Sequence, residues 1–523
     1  MALIRPRPGT LRPVEDPEDE LFHLFTSLKD QGEHGLGYTT VHSDRVLIQI
    51  SASSSFSTIQ LEAGLGSTSA GGGVGGGGKA KGKLARAAGR TRTRTRTRTR
   101  TRTRTTAEEG AKGPEVPDVN TTSRNVFSFP SGTVTISAVE DEDDEDILDT
   151  NELVKSLSNK AGSKGRRTAT TTATAAKKGG SGLVMGGGRR EGGGYGTHSA
   201  VLRQDFTSFR SVAGNTGSVA WRSSLALALL LIQDLHLASS GSQHARRTSL
   251  LHPDALFPPS PQACPRANTV LELGAGTGVL SSLVLSHPSL ASISTGLRWI
   301  ATDQGEVLDL LRRNVDATSR RIIASQSQSD ASASFSAPVQ LVARDLDWMD
   351  VLSLSKRTDE RAKRQLEELR RSLLSFTHTG PGGVDGDTEE YSARNPDLIL
   401  AIDCIFNPAL FPALLATLAL FSSSYPPSST SKEAEGRQTQ VLIACELREA
   451  DMMRAFLEAW CGFADGDGDA AAWDIHAWHG AASAGEEASL GDHREDHDGL
   501  EGSGLGPGFV LWLATRRHAS TRS

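Results

Sequence analysis

The stretch Val270-Leu271-Glu272-Leu273-Gly274-Ala275-Gly276-Thr277-Gly278 indicates the fold of this chain. It begins with a short apolar run typical of a buried strand, and its glycines stand where such a strand would turn into a helix. Glycine tolerates a positive φ and lets a ligand approach the backbone closely, and a helix N-terminus presents unpaired N–H groups. We therefore predict a ligand-binding turn in an α/β sheet.

The spacing of Gly274, Gly276 and Gly278 narrows the choice of ligand. The loop has the pattern GxGxG with an acid two residues ahead of it, whereas dinucleotide-binding loops carry GxGxxG and cradle a pyrophosphate. This difference favours S-adenosyl-L-methionine, which has no pyrophosphate, and we expect the loop to wrap its amino acid and ribose. Two roles are open for Glu272: organising the loop, or facing the cofactor's ammonium group through water.

From Trp221 onward, short apolar runs alternate with helical stretches, as is typical of a parallel α/β sheet. The pattern predicts a Rossmann-like, doubly wound sheet whose last two strands are joined without a clear helix. The predicted strands are Thr269–Leu273, Trp299–Thr302, Val339–Ala343, Asp397–Ile402, Gln440–Glu446, Asp474–His479 and Phe509–Ala514. The predicted helices are Leu225–Leu237, Leu280–Ser286, Val307–Ala317, Ala409–Ser422 and Glu449–Ala459.

Three inserts are predicted within this core, near 319–337, 356–395 and 480–506. The middle insert carries apolar residues at helical spacing beside charged ones, which predicts a short amphipathic helix. These residues are Leu366, Leu369, Leu373 and Phe376. The helix could pack on the core or bind a partner, and packing on the core is the favoured alternative.

The residues before this core divide into three predicted segments. Residues 1–57 form an N-terminal strip with a strand at Arg45–Ile50. Residues 58–124 hold a glycine-rich run and eight Arg-Thr repeats from Arg90 to Thr105, and they offer no apolar face, so we expect disorder. Residues 125–199 contain a strand near Val134–Ile136, the acidic block Glu140–Asp146 and a disordered linker. The catalytic domain is predicted at 200–516.

The composition limits the compartment and the partners that we expect for the protein. The formal net charge of -6 is modest, so global charge argues neither for nor against a nucleic-acid partner. The four cysteines form no CxxC pair, which favours a reducing compartment and no metal site. The N-terminus lacks an apolar signal region, and polar residues interrupt the longest apolar stretch. We expect a soluble monomer in the cytoplasm, or also in the nucleus, without a membrane partner.

Acidic and aromatic residues follow the next two predicted strands, whose carboxyl ends face the same crevice. Asp303 ends the second strand, where a carboxylate can accept both ribose hydroxyl protons; a helix N-cap is the alternative. Asp345 follows the third strand and could receive the adenine amine, with Leu346 or Trp348 covering the ring. Taken alone, a tryptophan is more often plain core.

The sequence Asp403-Cys404-Ile405-Phe406-Asn407-Pro408 ends the fourth strand, at the position nearest the transferred methyl group. DNA amino methyltransferases would carry an Asn/Asp-Pro-Pro-Tyr run there, which this chain lacks. Asp403 offers a carboxylate to an incoming ammonium group, and Phe406 offers an aromatic wall to its path. These features favour an amine acceptor, with Asp403 lying beside both the cofactor and the acceptor.

Four motifs together resemble the seven-strand protein lysine methyltransferases related to methyltransferase-like family 21. They are Asn215-Thr216-Gly217-Ser218-Val219-Ala220-Trp221, the glycine loop, Leu346-Asp347-Trp348 and Asp403-x-x-Phe406. Aspartate-x-x-aromatic is the hallmark of that family. Further details, including Gly35-Leu36-Gly37-Tyr38, resemble fungal members that methylate the mobile-stalk protein of the large ribosomal subunit.

This resemblance covers roughly residues 200–515 without the inserts, plus 36–50. It implies that Trp221, Gly274, Asp303 and Trp348 line the cofactor, and that Asp403 and Phe406 line a lysine channel. A ribosomal protein is the expected substrate, with a translation factor or chaperone as alternatives. A small-molecule or nucleic-acid methyltransferase, or a non-catalytic binding module, remains a rival hypothesis. The Arg-Thr repeat lacks interleaved aromatics, so only nonspecific RNA contact is expected of it.

Overall fold

The computed structural model describes residues 3–4, 11–26, 41, 43–52, 124–129, 132–139, 198–211, 216–239, 250–251, 267–292, 296–328, 339–375, 394–423, 438–464, 473–478 and 508–517. All of them belong to the unit formed by Met1–Phe56 and Thr122–Ser523. The Arg-Thr repeat, the acidic block and the predicted insert at 480–506 lie outside the described residues. The disorder expected there stays a prediction.

The described residues form twelve strands in two sheets. In chain order the strands are β1 (Leu11–Pro13), β2 (Arg45–Ala52), β3 (Arg124–Phe129), β4 (Gly132–Ala138), β5 (His198–Arg203), β6 (Asn268–Leu273), β7 (Leu297–Asp303), β8 (Val339–Asp345), β9 (Leu398–Ile402), β10 (Gln440–Glu446), β11 (Trp473–Trp478) and β12 (Phe509–Arg516). The large sheet has the order β1-β11-β12-β10-β9-β6-β7-β8, and the small sheet has the order β3-β4-β2-β5.

The large sheet confirms the doubly wound architecture predicted from the sequence. Strands β6 to β10 pair in parallel, whereas β12 runs antiparallel to both β10 and β11. The chain first moves outward from β6 through β7 to β8, and then returns to place β9 on the other side of β6. This reversal creates a crevice at the carboxyl ends of β6 and β9, where ligands bind in open α/β sheets.

Helices cover both faces of the large sheet. They are α1 (Pro17–Thr26), α2 (Phe206–Ser211), α3 (Arg222–Ser239), α4 (Val279–Leu285), α5 (Gly305–Gln328), α6 (Trp348–Ser355), α7 (Glu360–Leu374), α8 (Phe411–Ser422) and α9 (Ala450–Cys461). Successive side chains of a strand point to opposite faces, so Val270 packs in the cluster with α3, α4 and α5, whereas Leu271 packs in the cluster with α8 and α9. None of the described helices is both long and apolar enough for a bilayer crossing.

Two predictions about the inserts can be compared with the structure. The predicted amphipathic helix is α7, which buries Leu373 in the core while Leu366 and Leu369 pack against it, so packing on the core is confirmed. Phe376 lies outside the described residues. The helix predicted at Val307–Ala317 corresponds to α5. Its predicted end at Ala317 was wrong, because α5 continues to Gln328 and buries Ile322 in the core. Its serine- and glutamine-rich end hid this continuation.

The small sheet was only half predicted. Strands β2 and β4 were expected, but β3 and β5 were not, and these two run across the segment limits placed at 124 and 199. All neighbouring pairs in this sheet are antiparallel. Its apolar face shares one core with α3, through Ile48 and Ile136 among others. The strands around the long insert therefore pack on the same core as the large sheet.

We predict that deleting Gly71–Thr106 leaves intact the methyl transfer to a free protein substrate that the sequence resemblance implies. The insert leaves β2 at Ala52 and returns at Arg124 in β3, and both strands are neighbours of β4. The residues kept on either side still span the gap, since an extended chain covers about 3.3 Å per residue. Turnover and thermal unfolding of the deleted and full-length proteins test this. A large loss of turnover would show that the insert contributes to the catalytic domain.

Candidate active site

The glycine loop lies at the reversal point of the large sheet. Gly274, Gly276 and Gly278 have φ values of 62°, 58° and 71°, in the left-handed region that favours glycine. A Cβ on Gly276 would lie 2.8 Å from the carbonyl oxygen of Gly217, and a Cβ on Gly274 would lie 3.0 Å from the Cys404 sulfur. The loop is thus in close contact with the segment before α3 and with the turn after β9.

Asp303, at the end of β7, faces this loop. Its Oδ2 accepts the Gly276 backbone N–H at 2.7 Å, and its Oδ1 accepts the Gln304 N–H at 2.8 Å. A helix N-cap would instead accept from the first turn of α5. Burial raises the pKa of Asp303 to about 6, although both N–H donors oppose the rise. The structure therefore brings this carboxylate to the glycine loop, as the cofactor hypothesis requires.

Glu272 has the contacts expected of a loop-organising residue. It is buried, and its Oε2 accepts the indole N–H of Trp299 on β7 at 2.8 Å. Its backbone carbonyl accepts the Thr302 hydroxyl at 2.8 Å. Burial raises its pKa to about 8, and the Trp299 hydrogen bond opposes the rise. These contacts tie β6 to β7 just before the glycine loop, and they support the first of its two predicted roles.

The buried Glu272 carboxyl should make stability depend on pH. Its folded pKa of about 8 lies above its ordinary value of 4.5, so the folded state holds a proton that the unfolded state releases. Stability from this group is fully present below about pH 4.5 and is lost as pH rises toward 8, by up to about 1.4 kcal/mol per pH unit. Glu272→Gln should lack this part of the slope. Urea unfolding of both proteins from pH 5 to 8 measures the difference, and equal slopes would contradict the prediction.

The two candidates to cover an adenine ring are placed differently. Leu346 is 2% exposed and packs in the core with α8 and α9. Trp348 is half-buried, and the edge of its indole would lie 3.2 Å from a Cβ on Gly274. Asp345 is exposed beside Asp303, its register partner on the neighbouring strand. The structure thus brings Trp348, rather than Leu346, to the glycine loop.

Trp221 lies on the other side of the crevice, directly before α3. Its indole N–H donates to the Thr216 carbonyl at 2.7 Å, which closes the turn containing Gly217. This turn is the one that contacts Gly276. The ring of Trp221 is half-buried and lies edge-on to Phe209, with 6.4 Å between ring centroids. The predicted Trp221 is therefore joined to the loop through its own turn.

Asp403 follows β9 with a φ of 58°, the one positive φ among the non-glycine residues described. Its backbone N–H donates to the Ala444 carbonyl of β10 at 2.8 Å. The side chain is 6% exposed, and its Oδ2 accepts from Arg448 Nη2 at 2.7 Å. Burial raises the pKa of Asp403, and the Arg448 guanidinium opposes the rise. Phe406 is half-buried three residues later.

Sequence reasoning missed the charged residues around Asp403. Glu446 ends β10 and accepts from Arg222 Nη1 at 2.8 Å, and Arg448 Nη2 lies 3.9 Å from its Oε2. The guanidinium of Arg448 also lies 4.8 Å from the centroid of the Trp221 ring. A usable signal was present, because Glu446-Leu447-Arg448 follows the fifth predicted strand, whose carboxyl end borders the crevice.

The residues at the crevice fit the cofactor predicted from the sequence. The glycine turn admits a ligand against its backbone, Asp303 offers acceptors for hydroxyl groups, and Trp348 offers an aromatic surface. The part of the chain that the structure describes contains no group of three or more His, Cys, Asp or Glu residues placed to hold a metal ion.

Comparison with protein families gives one match. Residues 204–352 match the family model described as lysine methyltransferase. The match contains Trp221, the glycine loop, Asp303 and Trp348, but it ends before Asp403 and Phe406. It therefore covers the cofactor side of the crevice and a minority of the chain. No curated protein matches the chain in sequence.

Several solved structures are similar to this chain. The CurJ carbon methyltransferase is 14% identical, with a TM-score of 0.19, and the match covers 49% of this chain and 50% of that one. The rRNA methyltransferase aviRa from Streptomyces viridochromogenes is 13% identical, with a TM-score of 0.20 and coverages of 42% and 75%. The precorrin 8w decarboxylase from Methanobacterium thermoautotrophicum is 10% identical, with a TM-score of 0.19 and coverages of 48% and 82%. The chain spans about half the length of the first of these.

The fold assignment rests on the strand order itself. In that order the last strand of the chain, β12, is inserted antiparallel between β10 and β11. This arrangement, with the glycine loop after the first strand of the α/β core, is the class I methyltransferase fold. The α/β core therefore has the class I methyltransferase fold, and residues 204–352 within it match the family model described as lysine methyltransferase.

Proposed function

We propose that this chain is an S-adenosylmethionine-dependent protein-lysine N-methyltransferase. The observation that carries the proposal is that the Asp403 carboxylate and the Trp221 ring both contact the Arg448 guanidinium, beside two turns that touch the glycine loop. A carboxylate and an aromatic face together recognise an organic cation. The family match supports the same acceptor class.

On the cofactor side, this chain's residues would hold S-adenosylmethionine by position and charge. Asp303 would accept the ribose hydroxyls, Trp348 would cover the adenine, and the turn of Gly274 to Gly278 would follow the amino acid. Asp345 would accept from the adenine amine. Glu272 would act indirectly, by fixing the strand end from which the loop departs.

Methyl transfer to an amine is an in-line displacement, so the acceptor must be placed opposite the leaving sulfur. When bound, the cofactor supplies a methyl group on a sulfonium. A lysine has a pKa of about 10.4 and must lose a proton before its Nζ can attack. We assign Asp403 first to binding and orienting the ammonium group, and second to accepting that proton. Phe406 bounds the channel and excludes water.

For the substrate, we propose a ribosomal protein of the large subunit. The support is the resemblance of the motifs near Gly35, Trp221 and Asp403 to fungal enzymes of that kind. A translation factor or a chaperone is the alternative within the same chemistry. We also propose a monomeric enzyme of the cytoplasm, with nonspecific RNA contact through the Arg-Thr repeat as its link to ribosomes.

Transfer of radioactive methyl groups into a cell extract tests this function. We expect label that survives nuclease, disappears with protease and is recovered as methyl-lysine after acid hydrolysis. Mass spectrometry of the labelled band then names the protein and the residue. Label that nuclease removes would show a nucleic-acid methyltransferase, and label in small molecules alone would show a different acceptor class. No transfer to any fraction would favour a non-catalytic module.

A further inference from the structure

The carboxylate of Asp403 already holds a cation, which is the guanidinium of Arg448. Arg448 Nη2 lies 2.7 Å from Asp403 Oδ2, and its guanidinium carbon lies 4.8 Å from the centroid of the Trp221 ring. Asp403 is the group that we assign to the incoming lysine ammonium, and Trp221 is an aromatic face beside the same arginine. The site is thus built for a cation, and the chain's own arginine occupies it.

A second buried carboxylate stands next to the same arginine. Arg448 Nη2 lies 3.9 Å from Glu446 Oε2, while the other oxygen of Glu446 accepts from Arg222 Nη1 at 2.8 Å. The side chains of Asp403 and Glu446 are 6% and 2% exposed, whereas that of Arg448 is 28% exposed. Arg448 is therefore more exposed than either of the two carboxylates between which it lies.

The charges suggest what happens when an acceptor enters. A lysine ammonium that enters beside Asp403 meets the Arg448 guanidinium at Oδ2, and like charges at close range repel. Glu446 already holds Arg222 through Oε1, so Arg448 moving toward Glu446 would share that carboxylate through its other oxygen, Oε2, and would leave Asp403 to the lysine. The movement is short, because a single nitrogen already lies near both acids.

We propose that Arg448 is the resident cation of the acceptor site and that it shifts from Asp403 toward Glu446 when the substrate lysine binds. This inference rests on the proposed function and names a specificity-determining residue for it. Arg448 competes with every acceptor, so an acceptor must carry a positive charge to replace it. A neutral group would leave Asp403 paired with Arg448 and would stay outside.

Kinetics of Arg448 variants test the proposal. Arg448 competes with the acceptor, so removing it raises the fraction of acceptor sites that are open. With extract protein as the substrate, Arg448→Ala and Arg448→Gln should therefore lower the half-saturating concentration about fivefold or more. The half-saturating concentration, rather than the maximal rate, is the readout of this competition. Arg448→Lys keeps a competing cation and should resemble the wild type. Arg371→Ala, an exposed arginine paired with glutamates on α7, is the matched control.

Glu446→Gln completes a double-mutant cycle. The substitution removes the second carboxylate toward which Arg448 can move. Introduced into the wild type, it should raise the half-saturating concentration; introduced into Arg448→Ala, it should have little effect. Thermal unfolding and S-adenosylhomocysteine binding check that each variant is folded, since Glu446 also pairs with Arg222. If Arg448→Ala lowers the maximal rate and leaves half-saturation unchanged, Arg448 only positions Asp403 and the proposal is overturned.

A binding measurement tests the same idea without turnover. With S-adenosylhomocysteine present, n-butylammonium should bind Arg448→Ala at least about tenfold more tightly than the wild type, because the cation site is vacated. Equal binding overturns the proposal whether or not the wild type methylates lysine. If the variant binds n-butylammonium more tightly but the wild type labels no lysine, the result would support Arg448 as the resident cation and would refute the proposed function.

Discussion

Replacing Asp403 by asparagine or alanine should abolish methyl transfer while leaving S-adenosylmethionine affinity largely unchanged. Its carboxylate is the acidic group beside the acceptor path, and misplacing a reacting group by a small distance costs about 100-fold or more in rate. The glycine loop and Asp303 do not depend on this side chain, because their hydrogen bonds are made with each other. Single-turnover rates and calorimetry with the cofactor separate the two effects.

The two Asp403 variants differ in what they do to the backbone. Asp403 has a φ of 58°, and a left-handed conformation costs an ordinary residue about 1–2 kcal/mol, whereas asparagine visits it readily. Asp403→Asn therefore removes the charge and keeps the turn, while Asp403→Ala also strains it. Asp309→Asn, an exposed acid on α5, is the control. Wild-type turnover in Asp403→Asn would refute the assigned role of the carboxylate.

The fold was largely predictable because its signals are local. Seven short apolar runs, separated by helical stretches, gave every strand from β6 to β12 to within about two residues of its ends. The small sheet was harder to predict. Strand β3 has alternating exposed side chains such as Val126, and β5 directly follows a glycine-rich linker. Both depend on partners that are distant in sequence.

Site residues were predictable where their position in the sheet determines which groups they face. Asp303 ends β7 and Trp348 follows β8, so the strand order alone brings them to the glycine loop. The pairing of Asp403 with Arg448 was not predictable in the same way, because it depends on the rotamers of two side chains on separate turns. Leu346 shows the same limit, since neighbouring residues in one motif point to different environments.

Substitution of Gly276 should block cofactor binding more severely than any other single change in the loop. A Cβ there would lie 2.8 Å from the Gly217 carbonyl oxygen, and backbone atoms cannot rotate away as a flexible side chain could. The residue also has a φ of 58°, which a side chain would strain. We expect Gly276→Ala to weaken S-adenosylmethionine binding by more than about tenfold, or about 1.4 kcal/mol. Gly276→Arg should abolish it.

Gly305→Ala is the matched control, because a Cβ at that position meets nothing within 4 Å. It replaces a glycine close to the same crevice, at the start of α5, without displacing the loop. Calorimetry gives the affinity, and thermal unfolding shows whether Gly276→Ala remains folded. The expected pattern is a folded Gly276→Ala protein with weak binding and a Gly305→Ala protein with normal binding. Normal binding by Gly276→Arg would refute the cofactor site, because an arginine side chain cannot be placed against the Gly217 backbone without displacing the loop.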